Sequence, residues 1–305
     1  MEFFFAYPET NGLDADMLDA VPLAEVARAA EQAGFQGMSL TEHPMPGARW
    51  LAAGGHQTLD PFVGLGFIAA ATSRLRLATH LVVAPYRNPF LLAKAAATVD
   101  RLSGGRFTLG LGAGYLKTEF FALGVDFDER NALFDEVLEV LPLHWRGEPF
   151  SYHGRHFDAR DVVARPRPVQ RPVPVWIGGN AKVSRRRAAE RAQGWMPMPG
   201  GAELSTTART VGITSNAMLA GMVAEVQDMA AAAGRGPVEI AWTYTDPAMG
   251  KDPTADVARH REEIASLTAA GVTSMFVSTR QREAQATLDF LAAFGETYLP
   301  APPKR

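Results

Sequence analysis

The sequence predicts an α/β fold, a (β/α)8 TIM barrel with insertions after the fourth helix and after strand six. Three observations carry this. Short β-rich runs alternate with longer Ala-rich helical patterns eight times along the 305 residues. Strands separated by helices pair in parallel, and eight such units close into a barrel. No linker separates two halves, so residues 1–305 are read as one domain, although length alone gives a prior of about two. An open doubly wound sheet uses the same units, but strand count and length fit the barrel better.

The elements follow in order. Strand one is Glu2 to Tyr7. A helix runs from Pro22, a good first-turn residue, to about Ala33 and stops at Gly34. Strand two is Gly37 to Thr41. After a long loop, Asp60-Pro61 supplies an N-cap and a first-position proline for a helix ending near Ser73. Strand three is Arg76 to Val82. The helix from Pro89 to Leu102 ends at Ser103-Gly104-Gly105, and strand four is Arg106 to Leu111. A short helical piece, Lys117 to Leu123, precedes a long helix from about Asp128 to Trp145. The stretch Gly147 to Pro172, rich in Arg, Pro and His, is the first excursion. Strand five is Val173 to Ile177, followed by a helix from Lys182 to Gln193. Strand six, Gly194 to Met198, leads into the second excursion, Pro199 to Ser215. A helix to Gly234, strand seven (Val238 to Tyr244), a helix from Thr254 to Ala270, strand eight (Ser274 to Val277) and a helix ending near Phe294 complete the series. The tail PAPPKR reads as a frayed end.

Composition narrows the chemistry. The chain has no cysteine, so disulfides, thiolate nucleophiles, thiolate zinc sites and iron–sulfur clusters are excluded. Redox work then needs an organic cofactor, or a metal held by His and carboxylates. Thirty Lys plus Arg against 33 Asp plus Glu leave a charge of −3, which argues against nucleic acid or anionic membrane as partner. The opening MEFFFAYPETNG lacks a basic n-region, and no apolar stretch reaches the ~18 residues of a membrane span. The expected location is the cytoplasm.

Barrel sites lie at the C-terminal ends of strands. Thr41-Glu42-His43-Pro44 follows strand two, and Thr79-His80-Leu81 ends strand three. Gly112-Ala113-Gly114-Tyr115 follows strand four. Gly178-Gly179-Asn180 follows strand five and opens a helix bearing Lys182, and Met196 ends strand six. This set suits a planar, partly apolar cofactor with a phosphate, because backbone N–H groups at a helix start bind anions. Each piece also has a plainer reading. Glu42-His43 could be a cap or loop ion pair, His80 a hydrogen-bonded core residue, and the glycines tight turns with φ > 0. Arg185-Arg186-Arg187 cannot share one helix face. Trp50, Met196, Met198, Trp242 and Tyr244 could line a pocket or only fill the core. His156-Phe157-Asp158 matches an HxD iron-ligand pair but lies in an excursion. HExxH, GxSxG and GxxxxGK[ST] are absent, and no metal ligands are assigned.

The segments AEQAGFQGMSLTEHP, LDPFVGLGFIAAATSRLRLATHLVVAPYRNPFLLAKAAATVDRLSGGRFTLGLGAGYLKTEFFALGVDF and PRPVQRPVPVWIGGNAKVSRRRAAERAQGW resemble the bacterial luciferase-like monooxygenase superfamily, in particular its coenzyme F420-dependent oxidoreductase branch. The resemblance covers about residues 20 to 290. It implies a barrel, commonly dimeric, holding a deazaflavin (F420) or a flavin (FMN) at the C-terminal mouth. By position, it implies that His43 is the active-site histidine, with Glu42 orienting it or touching the cofactor. It implies a non-proline cis bond at His80–Leu81, against the ring. Thr79, Gly112, Ala113, Gly114, Tyr115 and Met196 would contact the cofactor, and Gly178, Gly179 and Asn180 would cradle its phosphate. Lys182, Arg185 and Arg186 would suit its anionic tail. There are departures: Tyr115 stands where the deazaflavin sugar-phosphate dehydrogenases carry a Glu acid, and Gly47 where they carry Trp. A tyrosine, with an ordinary pKa of about 10, is a poor acid near neutrality. The reading is hydride transfer between a deazaflavin and a small organic substrate. The alternatives are an FMN-dependent monooxygenase using O2, and a non-catalytic barrel that binds such a cofactor.

Overall fold

Eight parallel strands close on themselves in the computed structural model, which describes residues 1–8, 22–201, 205, 210–281 and 283–300. The elements are β1 (Glu2–Ala6), α1 (Leu23–Ala33), β2 (Gly37–Leu40), α2 (Ala48–Ala52), α3 (Pro61–Ala71), β3 (Arg76–Thr79), β4 (Val82–Val83), α4 (Pro89–Leu102) and β5 (Phe107–Gly112). They continue with α5 (Lys117–Ala122), α6 (Arg130–Arg146), β6 (Phe150–His153), β7 (Asp158–Val162), β8 (Val175–Gly178), α7 (Lys182–Arg191) and β9 (Gly194–Met196). The last are α8 (Asn216–Ala232), β10 (Glu239–Thr243), α9 (Pro247–Lys251), α10 (Val257–Ala269), β11 (Ser274–Val277) and α11 (Ala284–Tyr298). The order β3-β2-β1-β11-β10-β9-β8-β5 is closed by pairing of β3 with β5, Leu77 opposite Phe107. The fold is the expected TIM barrel, not an open sheet.

Alternation along each strand explains the packing. Phe4 on β1 meets Trp176 on β8 with ring centroids 5.8 Å apart, a contact made across the barrel. Phe4, Ala78, Trp176, Met196, Ala241 and Phe276 fill this interior. Arg76 closes the opposite end, with Nη1 2.5 Å from Glu2 and its guanidinium 5.2 Å from the Phe4 ring centroid. Strand neighbours such as Phe5, Met38, Leu77 and Leu109 face the helices. The helix starts follow the sequence signals: Asp60 and Asn88 each accept two backbone N–H bonds at the N-termini of α3 and α4. Gly34 ends α1 at φ +96°, a conformation that favours glycine.

Some elements differ from expectation. The loop after strand two contains α2, and strand three breaks at His80–Leu81 before β4 resumes. The stretch 147–172 carries the antiparallel hairpin β6–β7. Polar anchors hold it to α6: the Tyr152 hydroxyl donates to Glu139 at 2.9 Å, and the His156 ring lies between Glu136 and Glu129. The last helix runs four residues past Phe294. Tyr298 extends it by packing on the Phe294 ring at 4.9 Å and donating to the Pro253 carbonyl. The tail beyond Pro300, and residues 202–204 and 206–209 of the second excursion, lie outside the described residues.

Candidate active site at the barrel mouth

His43 leaves the end of β2 into a buried polar setting. Its backbone N–H donates to Thr58 Oγ1 at 2.8 Å. Its Nδ1 lies 3.2 Å from Oε2 of Glu119 on α5, and both side chains are buried. The Tyr86 hydroxyl donates to the same Oε2 at 2.9 Å. Burial and then the neighbouring Glu119 charge push the Tyr86 phenol above its ordinary pKa, so it remains a donor.

Glu42 serves a different neighbour. Its Oε2 accepts the Val83 N–H at 2.7 Å, and its Oε1 accepts from Arg87 Nε at 2.8 Å. Arg87 also holds Asp60 at 2.7 Å. Burial pushes the Glu42 carboxyl above the usual range while Arg87 pulls it back. The carboxylate on the His43 ring is therefore that of Glu119, not Glu42. The sequence does not mark Glu119, which sits in KTEFF, where an acid reads as the polar side of a short helix. The following Phe120 is fully buried, which seats α5 deeply, while Phe121 is exposed, so the pair carries no burial signal in the sequence.

Three more rings surround His43. Trp50 of α2 lies 4.7 Å away, His56 4.9 Å, and Tyr115 6.1 Å, centroid to centroid. His56 had no sequence motif to mark it.

The mouth has an apolar floor. The His80 ring stacks on Phe276 at 4.0 Å and 6°, and its Nε2 lies 3.2 Å from Thr243 Oγ1. The His80–Leu81 bond is cis. Leu81 packs against the interior cluster that includes Met196. Its side chain fills the space where Gly112 and Gly178 lack a Cβ: built there, the Cβ atoms would fall 2.5 and 2.2 Å from the leucine methyls. Thr79 is a latch between strands, its hydroxyl bonded to both N–H and C=O of Gly110 at 2.8 Å. Gly114, at φ +77°, turns the chain after half-buried Ala113 towards Tyr115, close against Val83 and Phe120.

The expected phosphate cradle is engaged otherwise. The Gly179 N–H donates to the Met196 carbonyl at 3.2 Å, and the Asn180 N–H to Thr210 Oγ1 at 2.9 Å. The Asn180 side chain bonds Met198 N and O and the Val211 carbonyl, tying the second excursion down. The donors left at this corner are those of the first turn of α7, whose N-cap Ala181 gives no side-chain bond. Arg185 is bound to Glu225 and the Asn180 carbonyl, and Arg187 to Asp135 and Asn131. Lys182 and Arg186 are exposed. Trp242 and Tyr244 belong to the buried core, with the Tyr244 hydroxyl 2.8 Å from His260 Nδ1. Met198 is half-buried. The HxD pair does not converge, since Asp158 meets His153 at 3.1 Å while His156 faces Glu136 and Glu129. Among the described residues, no cluster of three His, Asp or Glu side chains is arranged to hold a metal.

A flat ring with an anionic tail fits these residues. Leu81, Met196 and the His80–Phe276 stack offer an apolar surface, the Thr41 hydroxyl donates to the His80 carbonyl at 3.0 Å and so joins that surface to the loop bearing the His43 imidazole, and α7 offers unfilled backbone donors. The chain matches the luciferase-like monooxygenase family over residues 1–299 and belongs to that family. It is 34% identical over 230 residues to an uncharacterized protein of Mycobacterium tuberculosis, covering 70% of this chain and 74% of that one. It is 31% identical over 198 residues to the F420-dependent glucose-6-phosphate dehydrogenase of Segniliparus rotundus, covering 63% and 57%. It is 30% identical over 175 residues to the FMNH2-dependent dimethylsulfone monooxygenase of Pseudomonas putida, covering 56% and 46%. Its fold is shared with the coenzyme F420-dependent tetrahydromethanopterin reductase of Methanopyrus kandleri, at a TM-score of 0.70 and 18% identity over 97% of both chains.

Proposed function

We propose that this chain is a deazaflavin-dependent oxidoreductase moving a hydride between coenzyme F420 and a small organic substrate. The carrying observation is His43 held at Nδ1 by buried Glu119, on the loop that Thr41 ties to the His80 carbonyl. When bound, the deazaflavin supplies or takes up the hydride. His43 exchanges a proton with the substrate through Nε2, the nitrogen that Glu119 leaves for a ligand. Glu119 is a positioning residue, fixing the ring from behind, and Tyr86 fixes Glu119 in turn. Glu42 keeps β4 and Arg87 in place under the floor. His80, Leu81, Met196, Gly112, Ala113, Gly114 and Tyr115 border the ring, and Thr79 and Asn180 hold that border in shape. The first turn of α7, beyond Gly178 and Gly179, would hold the phosphate through its backbone N–H groups, and Lys182 and Arg186 would meet the anionic tail.

A second reading, FMN-dependent oxygenation, is favoured by the 30% identity to an FMNH2-dependent monooxygenase. Titration with each cofactor tests both. Saturable F420 binding, with His43→Ala abolishing turnover but not binding, is the expected result. Binding of FMN alone reverses the ranking, and tight binding without turnover of any substrate favours the non-catalytic barrel. We read the chain as one catalytic unit, working as a homodimer in the cytoplasm on small molecules. No described helix is long and apolar enough to cross a membrane.

A further inference from the structure

We propose that Trp50, His56 and Tyr115 form the substrate face of this site, and that it takes an uncharged, flat carbonyl compound conjugated to an arene or alkene. The proposal rests on the reading of His43 as the proton-exchanging group. The three rings come from separate stretches, namely α2, the segment before α3 and the turn after β5. They converge on His43 with centroids 4.7, 4.9 and 6.1 Å from its ring, and Trp50 and His56 also meet at 5.3 Å. All three are partly buried, so part of each residue remains accessible. Offset and edge-to-face contacts favour a flat π-system here.

The wall is built rather than incidental. A Cβ on Gly55 would lie 2.3 Å from the Trp50 ring, so the chain passes flat beneath the indole only because that residue is glycine. A Cβ on Gly47, just before α2, would lie 3.1 Å from Thr118, so α2 docks closely on α5.

Charge sets the class. Glu42 is answered by Arg87 and the Val83 N–H, and Arg87 is shared with Asp60. Glu119 is answered by His43 and Tyr86. A phosphate or carboxylate would face two acids; Arg87 is already held by both of its partners, and the other cation on this side, Arg49, is exposed on α2. An ammonium would find both acids already engaged. A neutral ligand meets neither penalty. Its oxygen is specified by the imidazolium form of His43, whose Nδ1–H stays on Glu119 while its Nε2–H donates to an acceptor. In the reduction, the carbonyl carbon gains a hydride from the reduced deazaflavin, the C=O π bond breaks, and the oxygen takes the His43 proton. The ketone gains two electrons, the deazaflavin loses two, and His43 recovers its proton from solvent.

Calorimetric titration with 1-tetralone and with glucose 6-phosphate tests this, on protein with and without F420. The expected result is saturable 1-tetralone binding that Trp50→Ala weakens by about tenfold or more, while Trp50→Phe stays within about threefold. Glucose 6-phosphate gives no saturable heat. Tetralone binding indifferent to Trp50→Ala, or saturable glucose 6-phosphate binding lost in Arg49→Ala (exposed on α2), overturns the proposal. F420 binding is followed separately by its absorbance. If F420 binds and tetralone does not, the substrate class alone fails. If F420 does not bind but Trp50-dependent tetralone binding persists, the substrate class stands and the deazaflavin reading fails. Circular dichroism of each variant separates lost binding from lost fold.

Discussion

Nδ1 of His43 lies 3.2 Å from Oε2 of Glu119, a buried contact between residues 76 positions apart. It joins the loop after β2 to α5, and the Tyr86 hydroxyl completes it at 2.9 Å. A hydrogen bond to a charged group contributes about 1.5–3 kcal/mol. Glu119→Gln is therefore expected to lower kcat of the loaded enzyme by about 10–100-fold, with F420 affinity little changed and Glu119→Asp recovering part of the loss. Steady-state kinetics and an F420 titration check it. Unchanged kcat would remove Glu119 from the mechanism, and equal losses in binding and kcat would make its role one of general architecture.

The Leu81 side chain fits where Gly112 and Gly178 lack side chains. Overpacking a filled site costs about 1–3 kcal/mol. Gly178→Ala should lower stability by that amount in a chemical melt, and adding Leu81→Ala should cost less than the sum of the two single changes. The double-mutant cycle measures the coupling. Strict additivity would show that the two positions do not press on each other.

Much of this was legible because barrel strands and helix caps are local signals. Asp60-Pro61 and Asn88-Pro89 start helices where the sequence says, and all eight expected barrel strands are present. The mouth was legible as a set of strand ends, with His43 among them. What the sequence hid was partnership. Glu42 precedes His43 in the chain but points its carboxylate at Val83 and Arg87. The acid that meets the imidazole comes from a helix three strands later. Gly178-Gly179-Asn180 has the composition of an anion nest. The Leu81 wedge and the Asn180 tie to the second excursion account for two of its three residues, and neither can be seen without the fold. Short amphipathic pieces such as α2 and α9, five residues each, carry too little periodicity to announce themselves.

His144 gives a pH prediction. It is buried in α6, its Nδ1 has no hydrogen-bond partner, and burial, aided by Lys94, pulls its pKa down to about 4. The unfolded chain binds this proton at about pH 6.5, and the folded chain does so only near 4. Stability is undiminished above about pH 6.5 and falls as pH drops towards 4, by about 3 kcal/mol at the most. Urea melts of the parent and of His144→Leu at pH 7.5 and pH 5 check it. The variant should lose less stability than the parent between the two, and parallel losses would clear His144 of the effect.

The helix α3, PFVGLGFIAAA, is apolar on every side. A helix of that kind is normally covered all round. Phe62, Leu65, Ile68 and Ala69 face the core, yet Val63 and Phe67 are 75% and 58% exposed, and Leu91, on the adjacent α4, is 71% exposed. A second copy turned by a two-fold axis would cover this patch with the same patch, which is how most homodimers close. Phe67→Glu would then place a buried carboxylate opposite its own symmetry mate, two like charges without a partner. Sedimentation velocity should show a dimer for the parent. For the variant it should show association weakened by at least about 100-fold, shifting it to monomer, with unchanged circular dichroism. A monomeric parent, or a variant dimer as tight as the parent's, would rule this face out as the interface. Retained activity in the monomeric variant would further show that each barrel mouth is complete within one chain, as the His43–Glu119 contact within a single protomer leads one to expect.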